Sequence, residues 1–322
     1  PANSTAIIYC SGRNELIGGN AHSNFKITQT KGSEVLMLSN NFGVFQDSIR
    51  VSPNQNSHTR GRETDGAANW SVFISGTPNS TNVGAMQEYE ASPIFSHTSG
   101  YQNAPISLSI SSASSIYYTL NGDEPNAGST PYTGPINLNT TKVIKAIAIN
   151  ANPAIPPSFI EYGTFFFGTD THTIPILSVS GDEMSNLLTD PPWIASSFEP
   201  IGTIEWFDAS GVLIDKGTGE YNKHGNDSWF YDQRGFDFIM RDQFGYNHCI
   251  KDKLFMTKDR DKFQRIILKA AANDNFSFED GAHIRDAYVH HLSQLGDLRM
   301  DERSYTSCIV YLDGEYWGVY DL

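Results

Sequence analysis

The sequence is short of cysteine, of positive charge and of long hydrophobic runs, and each shortage removes a class of protein. Its three cysteines, Cys10, Cys249 and Cys308, stand far apart and in no paired spacing. That is neither a zinc-ligand pattern nor a disulfide framework, so three reduced, mostly buried thiols are expected. Lys and Arg number 22 against 36 Asp and Glu, a formal net charge of -14. Nucleic acid is set aside as a partner, because phosphate backbones demand a basic surface. The surplus acid reads as a well-solvated exterior. No apolar run is long enough to span a bilayer, and no leader pattern is visible. The abrupt start at Pro1 and the end on a strand-like run read as those of an excised piece.

What is present points to β structure. Hydrophobic residues make up 39% and aromatic residues 12%, enough for packed cores. Asn, Ser, Thr, Gly and Pro punctuate the chain, and helical periodicity is rare. With domains of ~100–200 residues each, two or three are expected. Residues 1–81 read as short strands and turns, with Glu34-Val-Leu-Met-Leu38, Val44–Val51 and Trp70–Ile74 as the strands. Residues 82–103 have no period and read as a linker. Residues 104–168 alternate apolar and polar positions on either side of Asn121-Gly122, a tight-turn signal, and include the dense run Val143–Ile149. Residues 173–322 carry further strands, one helix expected over Ser277 to Leu295, and a hairpin turning at Asp313-Gly314. Ser277-Phe-Glu-Asp280 is a capping-box pattern. Ile284, Ala287, Tyr288, His291, Leu292 and Leu295 fall on one stripe, and Gly296 stops the helix.

Three resemblances follow from particular residues. His22–Lys26, Leu38–Gly43, Gly61–Gly66 and Gly76–Asn79 resemble the lamin-tail domain, an immunoglobulin-type sandwich. Tyr117–Pro125, Tyr132–Ile136 and Lys145–Ala148 resemble the chitobiase/β-hexosaminidase C-terminal domain. Thr173–Val179, Pro200–Asp208, His224–Ser228 with Gln233–Phe238, Ile284–Ala287 and Tyr311–Tyr320 resemble the spore-coat CotH kinase-like family. The fold class expected is multidomain and mainly β. Two immunoglobulin-like β-sandwiches precede an α+β domain like a kinase N-lobe, incomplete at its C-terminal end.

The CotH resemblance implies an atypical protein kinase, secreted or on the cell surface, of bacterial type. ATP and Mg would serve the complete protein, with protein as substrate. Phosphoryl transfer needs positive charge at the phosphates and metal held by carboxylates. The resemblance puts the basic role on Arg234, with Lys223 as second candidate, and the acidic partner on Asp286 or Glu279. Gln233 stands where the family's basic pair begins, and Arg cannot simply replace Lys. The family's metal-binding and catalytic aspartates match no residue here, so the chain alone is expected to be inactive, with no bound cofactor.

The alternative is a non-catalytic adhesion or glycan-associated surface protein. In it Tyr117 and Tyr132 would stack on sugar rings, though packing within the sandwich is their ordinary role. Four weaker patterns carry less. Arg13, Arg60 and Arg62 could hold an anion, but such arginines commonly pair with carboxylates. Ser228 near His224 lacks the elbow of a serine nucleophile. Asp259–Asp261 and Asn273–Asn275 lack the spaced ligands of a calcium loop. His290 and His291 are neighbours on a helix and cannot share a metal.

Overall fold

The computed structural model describes residues 5–168, 172–271, 274 and 281–322. It is mainly β, and its strands form many small sheets and one large one. The chain divides into two compact units.

The first unit gathers Pro1–Glu90, Asn150–Pro157 and Asp242–His248. Its strands pair as local hairpins, Val35–Ser39 with Phe45–Arg50 and Thr59–Arg62 with Trp70–Phe73. Ile8–Tyr9, Glu15–Ile17 and Asn20–His22 make a third small sheet. Among the described residues of the first ninety, only Val72 and Phe73 are buried hydrophobics. Met37 and Phe42 are 73% and 83% exposed. The strands are therefore where the apolar runs predict them, but no second sheet covers them to make a sandwich core. The two later segments are tied in by hydrogen bonds. Gln87 N donates to Ala154 O at 2.8 Å, and Thr30 N to Asp242 Oδ1 at 2.9 Å.

The second unit gathers Ala91–Ile149, Ser158–Arg241 and Cys249–Leu322. Its first part is a sandwich. Strands β1 (Ser115–Thr119), β2 (Lys142–Ile149) and β3 (Glu161–Phe166) run antiparallel at its centre. Thr130–Pro131 and Gly100–Tyr101 extend the sheet to five strands. Two short pairs lie apart from it, Ile106–Leu108 with Ile136–Leu138 and Ile94–Phe95 with Ile110–Ser111. Residues 82–103, expected as a linker, thus contribute two strands to this module. Leu108, Ile116, Leu138, Ile144, Ala146 and Phe165 form its core. Side chains alternate along a strand, so Ile144 and Ala146 face that core and Lys145 faces away from it.

The second part is a seven-stranded sheet. In chain order its strands are β4 (Ile176–Ser180), β5 (Ile201–Phe207), β6 (Leu213–Lys223), β7 (Phe236–Met240), β8 (Arg265–Leu268), β9 (Ser307–Leu312) and β10 (Glu315–Asp321). In space the order is β8-β7-β6-β5-β4-β9-β10, with β4 and β9 parallel. Lys269, just after β8, bridges Asp321 at the end of β10 through two backbone hydrogen bonds. The sheet therefore curls until its two edges meet, which disposes of the unpaired edge groups at that point.

Leu177, Val179, Ile204, Trp206, Tyr221, Phe236, Phe238, Leu268, Val310 and Tyr320 fill the inside. Two of the buried aromatics have their polar tips bonded. Trp206 Nε1 donates to Asp252 Oδ2, and Tyr221 Oη to Thr203 O, each at 2.7 Å. Cys308 and Cys249 are buried, and all three cysteines are free thiols. Helix α1 (Met184–Thr189) packs Leu187 and Leu188 on this core.

The long helix α2 runs from Arg285 to Leu295, not from Ser277. Residues 277–280 lie outside the described residues, and His283 has a left-handed φ of 61° that interrupts any helix through it. The apolar stripe expected to be buried is mostly bare. Ala287 is buried, whereas Tyr288 is 56% and Leu295 72% exposed.

Candidate functional site

A cavity of about 390 Å³ opens between the end of β8, helix α2 and the end of β10. The closing bridge of the sheet forms part of its wall, since Lys269 and Asp321 both line it. Its apolar surface comes from Phe255, Phe263, Ile266, Ile267, Ala287 and Leu322. Six cations line it, Lys258, Arg260, Arg265, Lys269, Arg285 and Arg303, against three acids, Asp286, Glu302 and Asp321. A chain with an acidic surplus has here collected a local excess of positive charge around an apolar recess. That combination suits an anionic ligand with a flat or greasy body.

Two acids set the geometry of this wall. Asp274, 5% exposed, accepts from the backbone N–H of Ala282, Ile284 and Arg285 at 2.8–2.9 Å. Arg285 Nε adds an ion pair with Asp274 at 3.0 Å. Burial pushes the Asp274 carboxyl up, but the N–H groups of Arg285, Ala282 and Ile284 outweigh it and hold it below the usual range. Asp274 thus does the work expected of Ser277, satisfying the orphan amides at the start of α2.

Asp274→Ala should let the first turn of α2 fray. Amide exchange at Tyr288, which bonds back to Ile284 O, should rise roughly fivefold or more. A lowered carboxylate stabilises above its ordinary 3.8 and loses that contribution as pH falls through its folded value, so acid should fray the same turn. Unchanged exchange at Tyr288 in the variant would show the cap to be dispensable.

The second acid is Asp286, in the first turn of α2. It forms an ion pair with Lys269. Lys269 is 25% exposed at its side chain and Asp286 58%. Of the described residues among the four expected to hold a nucleotide, Asp286 alone lines the cavity. Arg234 is 6% exposed and lies elsewhere, its guanidinium 5.2 Å from the Trp229 ring and bonded to Leu187 O of α1. Burial pulls its pKa down. Lys223, at the end of β6, stands over the same indole at 5.3 Å. Glu279 lies outside the described residues. Lys269 escaped sequence reasoning because no motif flags it; its one signal is its place straight after the apolar strand Arg265–Leu268.

The other residues singled out in the sequence have neighbours within the fold. Tyr132 packs against the sandwich core, edge-on to Tyr118, and its hydroxyl accepts from Ile110 N at 3.0 Å. Tyr117, half-buried, sits in β1 opposite Ile147. Arg60 binds Glu88 through both terminal nitrogens, and Arg62 pairs with Asp47. His224 Nδ1 is 3.0 Å from Asp237 Oδ1, but no hydrogen bond joins Ser228 to His224 among the described residues. Nor, among the described residues, do three or more His, Cys, Asp or Glu side chains gather to hold a metal.

Comparison with known proteins bears on one module. Residues 97–155 match the chitobiase/β-hexosaminidase C-terminal domain. The match spans the sandwich strands from Gly100–Tyr101 through β2, in agreement with the residues that carry the resemblance. No curated protein and no solved structure matches the chain. In the chitobiase-like module the matching residues serve turns and core, so the match speaks to fold and not to chemistry. No described helix is long and apolar enough to cross a membrane.

Proposed function

We propose that the seven-stranded domain binds the phosphates of a nucleotide, as the N-terminal lobe of a CotH-like atypical protein kinase in a secreted or cell-surface modular protein. One observation carries this reading: Lys269, at the end of a sheet strand, is paired with Asp286 of the long helix on the wall of a cation-lined cavity. Kinases use such a strand lysine and helix acid to hold nucleotide phosphates. The apolar part of the cavity, Ile266 and Ile267 with Phe263, offers a bed for a base. Magnesium does not fit the described residues, since no cluster of ligating side chains is present, and no step is assigned to it. The reading therefore covers binding, and leaves phosphate transfer with parts of the protein beyond this lobe.

Titration calorimetry with ATP tests it. Weak binding that fades as salt rises is expected, because the contacts are charged and partly exposed. Heat no larger with ATP than with adenosine would defeat the phosphate reading.

A second reading, a glycan-associated surface protein, is favoured by the chitobiase-like module. A glycan array on residues 91–322 tests it, and Tyr117→Ala should erase any signal. Silence on every sugar would remove it.

A further inference from the structure

The chitobiase-like module and the seven-stranded domain meet at a polar joint. Thr164 of β3 bonds Ser178 of β4 at 2.7 Å, and Lys216 of β6 donates to Tyr162 O at 2.8 Å. The turn Asn121-Gly122 sits so close to the other side that a side chain at Gly122 would meet Asp313 Oδ1 at 2.7 Å and Ser180 Cβ at 2.8 Å. Glu124 N donates to Asp182 Oδ1 at 2.6 Å across it. Asp313, at the tip of the β9–β10 hairpin, accepts from Gly181 N at 3.2 Å.

Lys145 of β2 points into this joint. Its side chain is fully buried, and its Nζ has no hydrogen-bond partner. Four carboxyls act on its charge: Glu124 and Asp123 on the module's own turn, Asp182 after β4, and Asp313. Lys145 is fully buried, Asp123 and Asp313 are half-buried, and Glu124 and Asp182 are exposed. Four carboxylates against one ammonium leave a surplus of like charge beside a buried group, and repulsion opposes it.

We propose that the joint is a proton-gated latch, closed while Asp313 carries a proton and loosened when it ionises. Burial, and after it the repulsion of Asp123 and Asp182, raises Asp313 to about 7, against the opposing pull of Gly181 N–H and Lys145. Glu124 is raised as well, chiefly by burial. A raised carboxyl stabilises fully below its ordinary value of 3.8, and that contribution is lost as pH rises through about 7. Lys145, lowered by burial, works in the opposite sense, its contribution growing as pH climbs towards its ordinary 10.5. The two groups are separable by substitution.

Amide exchange reads the latch. The reporters are the Glu124 and Gly181 amides, whose bonds end on Asp182 and Asp313. The Phe238 amide, inside the seven-stranded domain, reports global unfolding. Between about pH 5.5 and about pH 8, protection at the two reporters should fall roughly tenfold after correction for intrinsic rates, with Phe238 unmoved. Asp313→Asn keeps the acceptor for Gly181 and should abolish the fall. Lys145→Met removes the one cation and should move the fall to higher pH. A fall that survives in Asp313→Asn, one that stays in place in Lys145→Met, or protection independent of pH in the parent chain would each overturn the latch.

Discussion

Lys269→Ala is expected to lower ATP affinity by about tenfold to a hundredfold, the range for losing a charge-assisted hydrogen bond to phosphate. Asp286→Ala should cost less, about threefold to tenfold, because it leaves the ammonium present and removes only what orients it. The asymmetry is the diagnostic part. If the pair were an ordinary surface ion pair, both changes would alter stability by under about 1 kcal/mol and affinity not at all. Arg234 is the internal control. It stands against Trp229 and Leu187 O rather than in the cavity. Arg234→Met should therefore leave ATP affinity unchanged in protein that folds. Loss of binding in Arg234→Met with none in Lys269→Ala would move the site to Arg234 and the Trp229 ring beside it. Calorimetry on the three variants at one salt concentration decides between the two basic candidates.

Much of the second unit could be read directly. The hairpin at Asp313-Gly314 is present, with Asp313 at a φ of 50° and Gly314 at 88°, as a tight turn of this kind requires. Cys308, Val310 and Leu312 share the inner face, as alternation predicts. The dense run Val143–Ile149 is a strand covered on both sides, and the surroundings of its third member, Lys145, could be seen only in three dimensions. Helix α2 shows where local signals mislead. Ser277-Phe-Glu-Asp280 has the spacing of a capping box, yet the described helix begins eight residues after Ser277 and is capped by Asp274, a residue outside the pattern. Backbone amides accept whichever carboxylate reaches them, and a motif cannot register a competitor three residues upstream. The ion pair at the cavity was half legible. Asp286 has a helix position that suggests it, while Lys269 is one of 22 Lys and Arg with nothing local to single it out. The meeting of β8 with β10 brings it there, and sheet closure joins residues about fifty positions apart that share no sequence signal.

Phe238→Ala and Phe42→Ala make the sharpest contrast of stability within the chain. Both delete the same atoms. Phe238 is 1% exposed, with its ring 4.6 Å from that of Tyr221 and packed within the core of the seven-stranded sheet. Its removal opens a cavity in a closed sheet whose frame cannot collapse inward without breaking ladder bonds, so about 3–5 kcal/mol should be lost. Phe42 is 83% exposed at a turn between Val35–Ser39 and Phe45–Arg50. Its removal takes nothing from a core and should fall within about 0.5 kcal/mol of zero. Denaturant unfolding followed by tryptophan fluorescence reads the first directly, since Trp206 lies in the same core. A loss above about 2 kcal/mol in Phe42→Ala would mean that its hairpin is covered in solution by something that packs on Met37 and Leu38. The exposed row Met37, Leu38, Phe42, Val44 and Phe45 would then be the face to follow.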